Sequence, residues 1–526
     1  MPSTQATLTP EPVVRLVNSF QEPYNLAIAT ARTCYSSTVI EPKDVAKDDQ
    51  ARAQRDRIAQ SIYQAGHHTT IQHPTFQFVL ERVSRQFIWS FLHSHPFYNS
   101  EQVSQRYVEV KPEHFTVPPL DDQARELYLA TCHAQMEAYH RLIELVEPTV
   151  EAEYRRLFPM RDLSERRWAS AVKKRSQEVA RYVLPVATHA HLYHTIAGVT
   201  LHRYWRLCQQ FDTPLEQRVV VQKMVEEVSK IDPEFMALAE EPIALERTLE
   251  YQAFEQFHGR QRNGATTRFL DEFDRSLAGL SSRLVDCSAN ASQTMAQAVR
   301  TVLGVTADQL DDATALELVL DPAKNPYLGE ALTLTTVSKL SRAMVHPHFT
   351  FRKKLSHTAD SQDQRHRMVP GSRPIVACHF AAGRPDYIVP PLIAASSREA
   401  QECYRDVMLR TWEAIEQLLD DGVPSEHALY LLPNAFPIRF EESGELLHFH
   451  HKWVQRLCYT AQEEIWKTSC EEVQQVEARF PELGRFLRAP CWVRERAGVK
   501  PFCPEGDRFC GVAVWRVPLE SYQRLI

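Results

Sequence analysis

The chain has 526 residues, of which 44% are hydrophobic and 24% charged, and its formal net charge is −7. Because this length exceeds what one hydrophobic core usually supports, we expect two or more globular domains. The negative charge argues against a general nucleic-acid-binding surface but allows a local basic pocket. No apolar run approaches the roughly 18 residues that a membrane-spanning helix needs, so we expect no membrane association.

The predicted elements mix strands and helices along the whole chain. Residues 75–83, TFQFVLERV, alternate apolar and polar side chains and predict a half-buried strand, whereas residues 121–145 carry apolar residues at helical spacing. Residues 257–268, FHGRQRNGATTR, are polar and contain glycine, which predicts a loop. A second predicted strand, HFTFRKKL at 348–355, precedes a second predicted long helix at 397–419.

These elements recur because the two halves of the chain are similar in sequence. HPTFQF at 73–78 returns as HPHFTF at 346–351, and ARYVLP at 180–185 returns as ALYLLP at 428–433. Further matches follow the same order, among them RLVN with RLVD and WRLC with QRLC. Such ordered repetition favours a duplicated unit over the alternative, two unrelated helical domains of similar composition.

The repeat defines the predicted domains. We expect a first copy at 1–240, a connector at 241–282, a second copy at 283–475 and a C-terminal extension at 476–526. The predicted fold class is α+β, with two similar domains that each contain a small mixed or antiparallel sheet backed by long helices.

The cysteines and the first residues predict a cytoplasmic protein. Eleven cysteines are scattered without a dense framework, as is typical of reduced thiols. The opening MPSTQATLTPEPVV lacks the basic and apolar regions of a secretory signal. HFHH at 448–451 and the widely spaced Cys491, Cys503 and Cys510 raise the alternative of a zinc site, but neither has standard ligand spacing, so we predict no metal.

Several motifs of the first copy resemble those of the flavin-dependent thymidylate synthases. They are ARTCYSS at 31–37, the run GHHTTIQHPTFQF from Gly66, SQRY at 104–107, ARYVLP at 180–185 and LEQR at 215–218. The resemblance covers most of residues 13–230 and, more faintly, residues 283–470. The order and spacing of these motifs are more specific than any one of them.

The departures from the family pattern are complementary in the two copies. Counted from His73, the family's RHR triplet falls at residues 92–94 or 93–95, and neither position contains arginine. The second copy has the triplet at 365–367, but Pro370 stands where the family has serine and no SxRY motif follows. It also has Trp466 in place of the arginine that ends the family's AQxEIR motif. Each copy therefore keeps what the other has lost.

The resemblance implies transfer of a methylene group from methylenetetrahydrofolate to dUMP, with reduced FAD as hydride donor and NADPH regenerating the flavin. Arginine suits this reaction, since its fixed charge and paired donors bind phosphate and polarise the uracil ring. By family position, the dUMP-binding residues are Ser104, Arg106, Arg181, Gln362 and Arg365; the FAD-binding residues are Ser36, His67, Thr69, Arg365, His366 and Arg367; and the catalytic residue is Arg218.

Each arginine also has a purely structural interpretation. Arg106 at a strand edge could be a surface ion-pair partner, and Arg365 and Arg367 lie in a polar run, SQDQRHR, that could be a solvated loop. Arg218, in a predicted helix, could simply face solvent.

The family's active sites are shared among four subunits, which suggests a composite site. We expect the two copies to complete one site and two chains to form a homodimer that imitates the four-subunit assembly. Two alternatives are a flavin-dependent reaction on another pyrimidine nucleotide and a non-catalytic relative that keeps only fold and assembly. The non-catalytic alternative is favoured by residues 196–198, because they lack the asparagine-x-arginine motif with which the family holds flavin.

Overall fold

A computed structural model describes residues 7–93, 97–259, 262–524 and 526. Within these residues it contains two four-stranded antiparallel sheets, one in each copy, and in both the strands lie in the order first, second, fourth, third along the chain. The identical order in both sheets confirms the predicted α+β fold with two similar domains. No helix in the described part of the chain combines the length and apolar character needed to cross a bilayer.

The first sheet belongs to the first copy and contains its predicted strand. Its strands are β1 (Val13–Ser19), β2 (Thr75–Ser84), β3 (Tyr98–Gln102) and β4 (His189–Ala197). The predicted strand at 75–83 is confirmed as β2, because the alternating residues Phe76, Phe78 and Leu80 are all fully buried. Period-two alternation puts these side chains on one face of the sheet.

The helices of the first copy cover that face and extend beyond it. They are α1 (Pro23–Thr33), α2 (Asp49–Gln64), α3 (Arg85–His93), α4 (Asp122–Leu157), α5 (Arg166–Ala180), α6 (Gly198–Arg206) and α7 (Pro214–Ile231). The long helix predicted from residue 121 is α4, and it begins there because the Asp121 Oδ1 accepts a hydrogen bond from the Ala124 amide at 2.9 Å.

The second copy repeats this plan. Its strands are β5 (Ser282–Cys287), β6 (His348–Ser356), β7 (Gly371–Ser372) and β8 (Pro437–Glu445). Its helices are α10 (Ala291–Leu303), α11 (Asp312–Leu320), α12 (His357–Asp363), α13 (Val376–His379), α14 (Pro391–Ala395), α15 (Arg398–Asp420), α16 (Ser425–Ala428), α17 (Leu446–Arg456) and α18 (Glu463–Arg479). The predicted strand and long helix of this copy are confirmed as β6 and α15.

The connector is more helical than its sequence predicts. It contains α8 (Leu249–Phe257), and α9 runs from Arg262 to Ser276, so the predicted loop at 257–268 is wrong for its second half. Tertiary packing overrides local polarity here, because Leu270 and Phe273 are buried and the Asp274 carboxylate forms ion pairs with Lys354 and Arg439 of the second sheet. The tail contains α19 (Pro481–Gly484) and α20 (Pro490–Arg496).

The two copies pack against each other around an approximate two-fold axis within the chain. The repeated segments ARYVLP and ALYLLP lie antiparallel there. The amides of Val186 and Asn434 donate to the carbonyls of Leu432 and Leu184, at 2.8 Å each. Helices α4 and α15 pack together in the same apolar core, which includes Tyr139 and Trp412. The copies are therefore joined into one body by backbone pairing and apolar burial.

Buried tyrosine–glutamate pairs repeat the same symmetry. Tyr182 of the first copy donates its hydroxyl to Glu464 at 2.5 Å, and Tyr430 of the second copy donates to Glu216 at 2.6 Å. Each carboxylate also accepts hydrogen bonds from the backbone and side chain of the serine that ends the central strand of its own copy, Ser84 for Glu216 and Ser356 for Glu464. These pairs identify equivalent positions in the two copies.

Candidate functional site

The SQRY motif lies in a turn directly after β3, not on a strand. The Ser104 Oγ accepts a hydrogen bond from the Arg106 amide at 3.2 Å. The Arg106 side chain turns inward, where it lies 3.1 Å from Glu178 Oε1 and donates to the carbonyl of Thr460 in the second copy at 2.9 Å. The interpretation of Arg106 as a surface ion-pair partner is therefore wrong, because its partner Glu178 is buried.

An inner cavity adjoins this turn and an outer cavity adjoins the inner one, and residues of both copies line them. The inner cavity has a volume of about 50 Å³. It is lined by Arg85, Gln102, Ser104, Arg181, Gln362, Arg365 and neighbouring residues. The outer cavity, of about 300 Å³, lies over β3 and β4. It is lined by Gln77, Tyr98, Tyr193, Thr195, Arg367 and neighbouring residues, and it shares Gln102 and Arg365 with the inner cavity. The two cavities therefore adjoin at Arg365.

The loop after α12 brings its arginines onto β3 of the first copy. The Arg365 Nη2 lies 2.8 Å from the Glu101 Oε2, in an ion pair that is largely exposed. The Arg367 Nη2 donates to Asn99 Oδ1 at 3.1 Å, and its guanidinium lies 5.0 Å from the centre of the Tyr98 ring. These contacts tie the loop to the first sheet, so the segment SQDQRHR is not a freely solvated loop.

The inner cavity has buried positive charge in excess. Burial and the nearby Arg181 lower the pKa of Arg85 to about 9, and burial also lowers the pKa of Arg181. Burial, Arg106 and Arg365 together lower the pKa of Arg456 to about 10, against the effect of Asp363. Because these cations destabilise one another, an anion bound among them would be favourable.

Unused hydrogen-bond donors strengthen this conclusion. Within the described residues, the Arg181 Nη2 and the Arg85 Nε are buried without a hydrogen-bond partner. A buried donor without a partner is costly, and a ligand oxygen would satisfy it. Charge and unpaired donors therefore both indicate an anionic group such as a phosphate.

Glu178 is the main negative charge beside this cluster. Although burial opposes ionisation, Arg106, Arg175 and Arg181 lower the pKa of Glu178 to about 2. In return Glu178 raises the pKa of Arg106, whose burial alone would lower it. The carboxylate thus keeps Arg106 charged and oriented beside the cavity.

A buried ion network fixes α12 and the loop that follows it. The Nζ atoms of Lys353 and Lys452 each lie 2.8 Å from the Asp363 Oδ2, and both also contact Glu442. The network lies beneath the RHR triplet, where the Arg456 Nη2 donates to the Gln362 carbonyl at 2.8 Å. Such a network can hold the donors of the triplet in a fixed geometry.

His366, between the two arginines, lies away from both cavities. Its Nε2 accepts a hydrogen bond from the Arg456 Nε at 2.9 Å, and burial together with Arg456 lowers its pKa well below the usual value. The imidazole is therefore neutral, and its contacts are those of a residue that orients the loop.

The structure does not bring the other predicted site residues to these cavities. Ser36, His67 and Thr69 lie in exposed segments before β2, and none of them lines the inner or the outer cavity. Arg218 is exposed on α7, on the side of the second copy's Glu426. Their assignments to FAD binding and catalysis stay predictions.

Local structure also fixes where the triplet falls in the first copy. Arg82 has a φ of 57° and is skipped in the pairing of β2 with β4, so it forms a β-bulge that adds one residue to the first copy. Counted from the equivalent serines, Arg365 is nine residues after Ser356 and His93 is nine after Ser84. The triplet positions are therefore 93–95, of which 94 and 95 lie outside the described residues.

The region equivalent to the inner cavity on the other side of the axis, which we call the mirror region, has a different composition. His93 replaces Arg365, and Leu429 replaces Arg181. Burial and the nearby Arg373 lower the pKa of His93 to about 4, so the imidazole is neutral. Arg373 itself is paired with the buried Asp360 at 2.9 Å, and Asp360 also accepts from the Trp89 indole at 2.7 Å. The mirror region is thus apolar or internally neutralised.

Sequence reasoning missed three groups that shape the site, namely Arg85, Glu178 and Arg456. Arg85 could have been predicted from the sequence, since a polar residue directly after a buried strand is well placed for a site at the strand end. Glu178 and Arg456 lie in amphipathic helices, where a charged residue is usually solvated and gives no local signal.

The histidine and cysteine clusters do not form a metal site in the described part of the chain, where no group of three or more potential ligands has a suitable arrangement. His448 instead contacts Glu445 at 2.5 Å, and the His451 ring lies 6.0 Å from that of His366. Cys491 is buried, and burial raises the pKa of its thiol to about 12.

Comparison with known proteins matches both copies to one family. The family model described as thymidylate synthase complementing protein matches residues 15–234 and again residues 283–482. Among similar proteins is the flavin-dependent thymidylate synthase of Clostridium tetani, 26% identical over 223 residues, which are 42% of this chain and 83% of the relative. That of Geobacter sulfurreducens is 30% identical over 175 residues, 32% of this chain and 70% of the relative. That of Nitratidesulfovibrio vulgaris is 27% identical over 234 residues, 44% of this chain and 87% of the relative.

Proposed function

This chain belongs to the flavin-dependent thymidylate synthase family, as a tandem of two copies, and from that premise we propose that it converts dUMP to dTMP at one site shared between its copies. The methylene group comes from methylenetetrahydrofolate, and NADPH reduces the flavin. The observation that carries the proposal is the inner cavity, where Ser104 and Arg181 of the first copy adjoin Gln362 and Arg365 of the second.

In this proposal the inner cavity binds the phosphate of dUMP. Arg181 offers an unpaired donor, and Arg85 adds charge. Ser104 and Gln362 supply neutral polar groups, and Arg365 forms the boundary with the outer cavity. Guanidinium groups suit this role because they stay charged and form paired hydrogen bonds to phosphate oxygens.

The outer cavity fits a flat aromatic group next to that phosphate. Tyr98 and Tyr193 provide ring surfaces, and Arg365 and Arg367 provide cations that would hold the phosphates of FAD. When bound, the flavin supplies the hydride. The volume of the outer cavity is at the lower end for a ligand site, and Ser36, His67 and Thr69 lie outside it. We therefore propose that a second chain completes the FAD site in a homodimer.

The experiment that tests this function is rescue of a thymidine-requiring strain, together with dTMP formation by FAD-supplemented protein. The unchanged protein should rescue growth, and Arg106→Ala and Arg367→Ala should each abolish rescue. Arg15→Ala is the control for loss of an arginine on the same sheet, because Arg15 pairs with Glu81 at 3.1 Å outside both cavities. Retained activity in either site variant would contradict a shared site.

Two further outcomes separate the alternatives. Purified protein that is colourless and cannot be loaded with FAD would indicate a non-catalytic relative. Yellow protein that releases no tritium from 5-labelled dUMP, and does not rescue growth, would indicate a flavin-dependent reaction on another pyrimidine nucleotide.

A further inference from the structure

The C-terminal tail runs over the second copy and ends beside the first. Leu519 and Tyr522 are buried in the second copy's core, and the backbone amide of Gln523 donates to the Tyr459 hydroxyl at 3.2 Å. The terminal Ile526 is buried in the core shared by the two copies. This path brings Arg524 between the two domains.

Arg524 lies next to Trp466, the residue that replaces the family's arginine in the second copy. Its guanidinium carbon is 5.3 Å from the centre of the Trp466 ring, and its Nε donates to the backbone oxygen of Ile526 at 2.9 Å. Among the described residues, its Nη1 and Nη2 are buried and have no hydrogen-bond partner. Two buried charged donors are therefore free to bind a ligand oxygen.

The surroundings of Arg524 connect it to the candidate site. It lines a separate cavity of about 20 Å³ with Glu178, Tyr182 and Gln462, and Glu178 is the ion-pair partner of Arg106. Burial and Arg175 lower the pKa of Arg524 to about 10, with a smaller contribution from Arg106. Arg524 therefore belongs to the same buried group of cations as Arg106.

The internal symmetry shows which group Arg524 replaces. Trp466 is two residues after Glu464, and Arg218 is two residues after the equivalent Glu216. Arg218 lies near Glu426, whose pKa burial raises to about 7 against the charge of Arg218. Glu426 precedes Tyr430 by four residues, and Glu178 precedes Tyr182 by four. One side of the axis thus has an arginine near the glutamate, and the other has a tryptophan with Arg524 beside it.

We propose that the tail supplies Arg524 as the substrate-contacting cation that Trp466 no longer provides, and that this guanidinium faces the pyrimidine base of the bound nucleotide. The inference rests on the proposed function, because it needs a pyrimidine nucleotide in the shared site. The proposal gives the C-terminal tail a function that no family motif predicts. It assigns to Arg524 the role of polarising the uracil ring, which family position had assigned to Arg218.

The test compares dUMP with 2-deoxyribose 5-phosphate, which lacks the base, by titration calorimetry on the full chain. Arg524→Gln should weaken dUMP binding by about 10- to 100-fold, the usual effect of losing a hydrogen bond from a charged donor. Affinity for the sugar phosphate should not change. Arg516→Gln is the matched control, since Arg516 is an exposed arginine of the same tail.

A rescue variant makes the test independent of folding defects. Trp466→Arg, introduced into the Arg524→Gln protein, restores the family's residue and should recover most of the lost dUMP affinity. Equal dUMP affinity in the unchanged and Arg524→Gln proteins would overturn the inference and leave the proposed function intact. Equal losses for both ligands, or failure of rescue, would also overturn it. No dUMP binding by the unchanged protein would overturn both proposals.

Discussion

The inner cavity and the mirror region occupy equivalent positions around the internal axis but have opposite chemistry. At the inner cavity, Arg181 is a buried cation with an unpaired donor, and the more exposed Arg365 lines the same cavity. At the mirror region the equivalent residues are Leu429 and the neutral His93. One duplication has therefore produced one cationic cavity and one filled interface.

In the proposed shared site, this difference explains why each copy could lose part of the family signature. A site built from both copies needs the serine–arginine turn from one and the RHR triplet from the other. The second set of motifs is then free to change, and apolar contacts or internal ion pairs have replaced it. The buried network of Lys353, Lys452 and Asp363 occurs only in the copy that keeps the triplet, among the described residues.

The largest expected effect is a loss of stability when the buried network of Lys353, Lys452 and Asp363 is broken. Lys452→Met leaves Asp363 and Glu442 with Lys353 alone, so the free energy of unfolding should fall by about 3–5 kcal/mol. His202 is the equivalent residue of the first copy and is buried with no ion pair to any described residue, so His202→Met should cost only about 1 kcal/mol. Urea unfolding measures both. Equal losses of unfolding free energy in the two variants would show that Lys452 is not held in a stabilising ion network that His202 lacks.

The next largest effect is on dUMP binding, and it should differ between Arg365 and its equivalent in the first copy, His93. Arg365→Gln should weaken dUMP binding by about 10- to 100-fold, because it removes a charged donor at the boundary of the two cavities. His93→Gln, at the equivalent position, should leave dUMP affinity unchanged. Titration calorimetry distinguishes the two variants, and a similar loss in both would refute the difference between the inner cavity and the mirror region.

The buried tyrosines should show a smaller and unequal effect. Tyr182→Phe and Tyr430→Phe each remove one hydrogen bond to a buried carboxylate, at a cost of about 1–2 kcal/mol. The loss should be greater for Tyr182→Phe, since its hydroxyl also accepts a hydrogen bond from the Gln462 side chain at 2.5 Å. Thermal unfolding of both variants measures the order, and a larger loss for Tyr430→Phe would contradict it.

The mirror region should also contribute a pH dependence. His93 has a folded-state pKa of about 4, lowered from an unfolded value of about 6.5 by burial and Arg373. The unfolded chain therefore binds a proton that the folded chain does not. This contribution to stability is complete above about pH 6.5 and is lost as the pH falls towards 4. His93→Leu should show a shallower decline over this range, and an unchanged slope would mean that His93 is not buried and neutral.

Sequence patterns predicted the repeated fold well because alternation and motif order are local properties. The strands at 75–83 and 348–355 and both long helices follow directly from their periodicity. Motif position also selected four residues, Ser104, Arg181, Gln362 and Arg365, that lie around one cavity, although their roles stay predictions.

The rest depends on contacts that no local pattern encodes. The bulge at Arg82 decides that His93, rather than Leu92, is the equivalent of Arg365. The helical connector is stabilised by Asp274 against the second sheet, and the position of Arg524 depends on the path of the tail. Each of these is a tertiary effect that overrides or escapes local sequence preference.

The most direct test of a single shared site is the stoichiometry of dUMP binding to the full chain, measured by titration calorimetry with protein of known active concentration. The two copies should bind one dUMP per chain, and Arg181→Gln and Arg365→Gln should each weaken that same binding event. Two dUMP molecules per chain, or one that is unaffected by either substitution, would contradict the account.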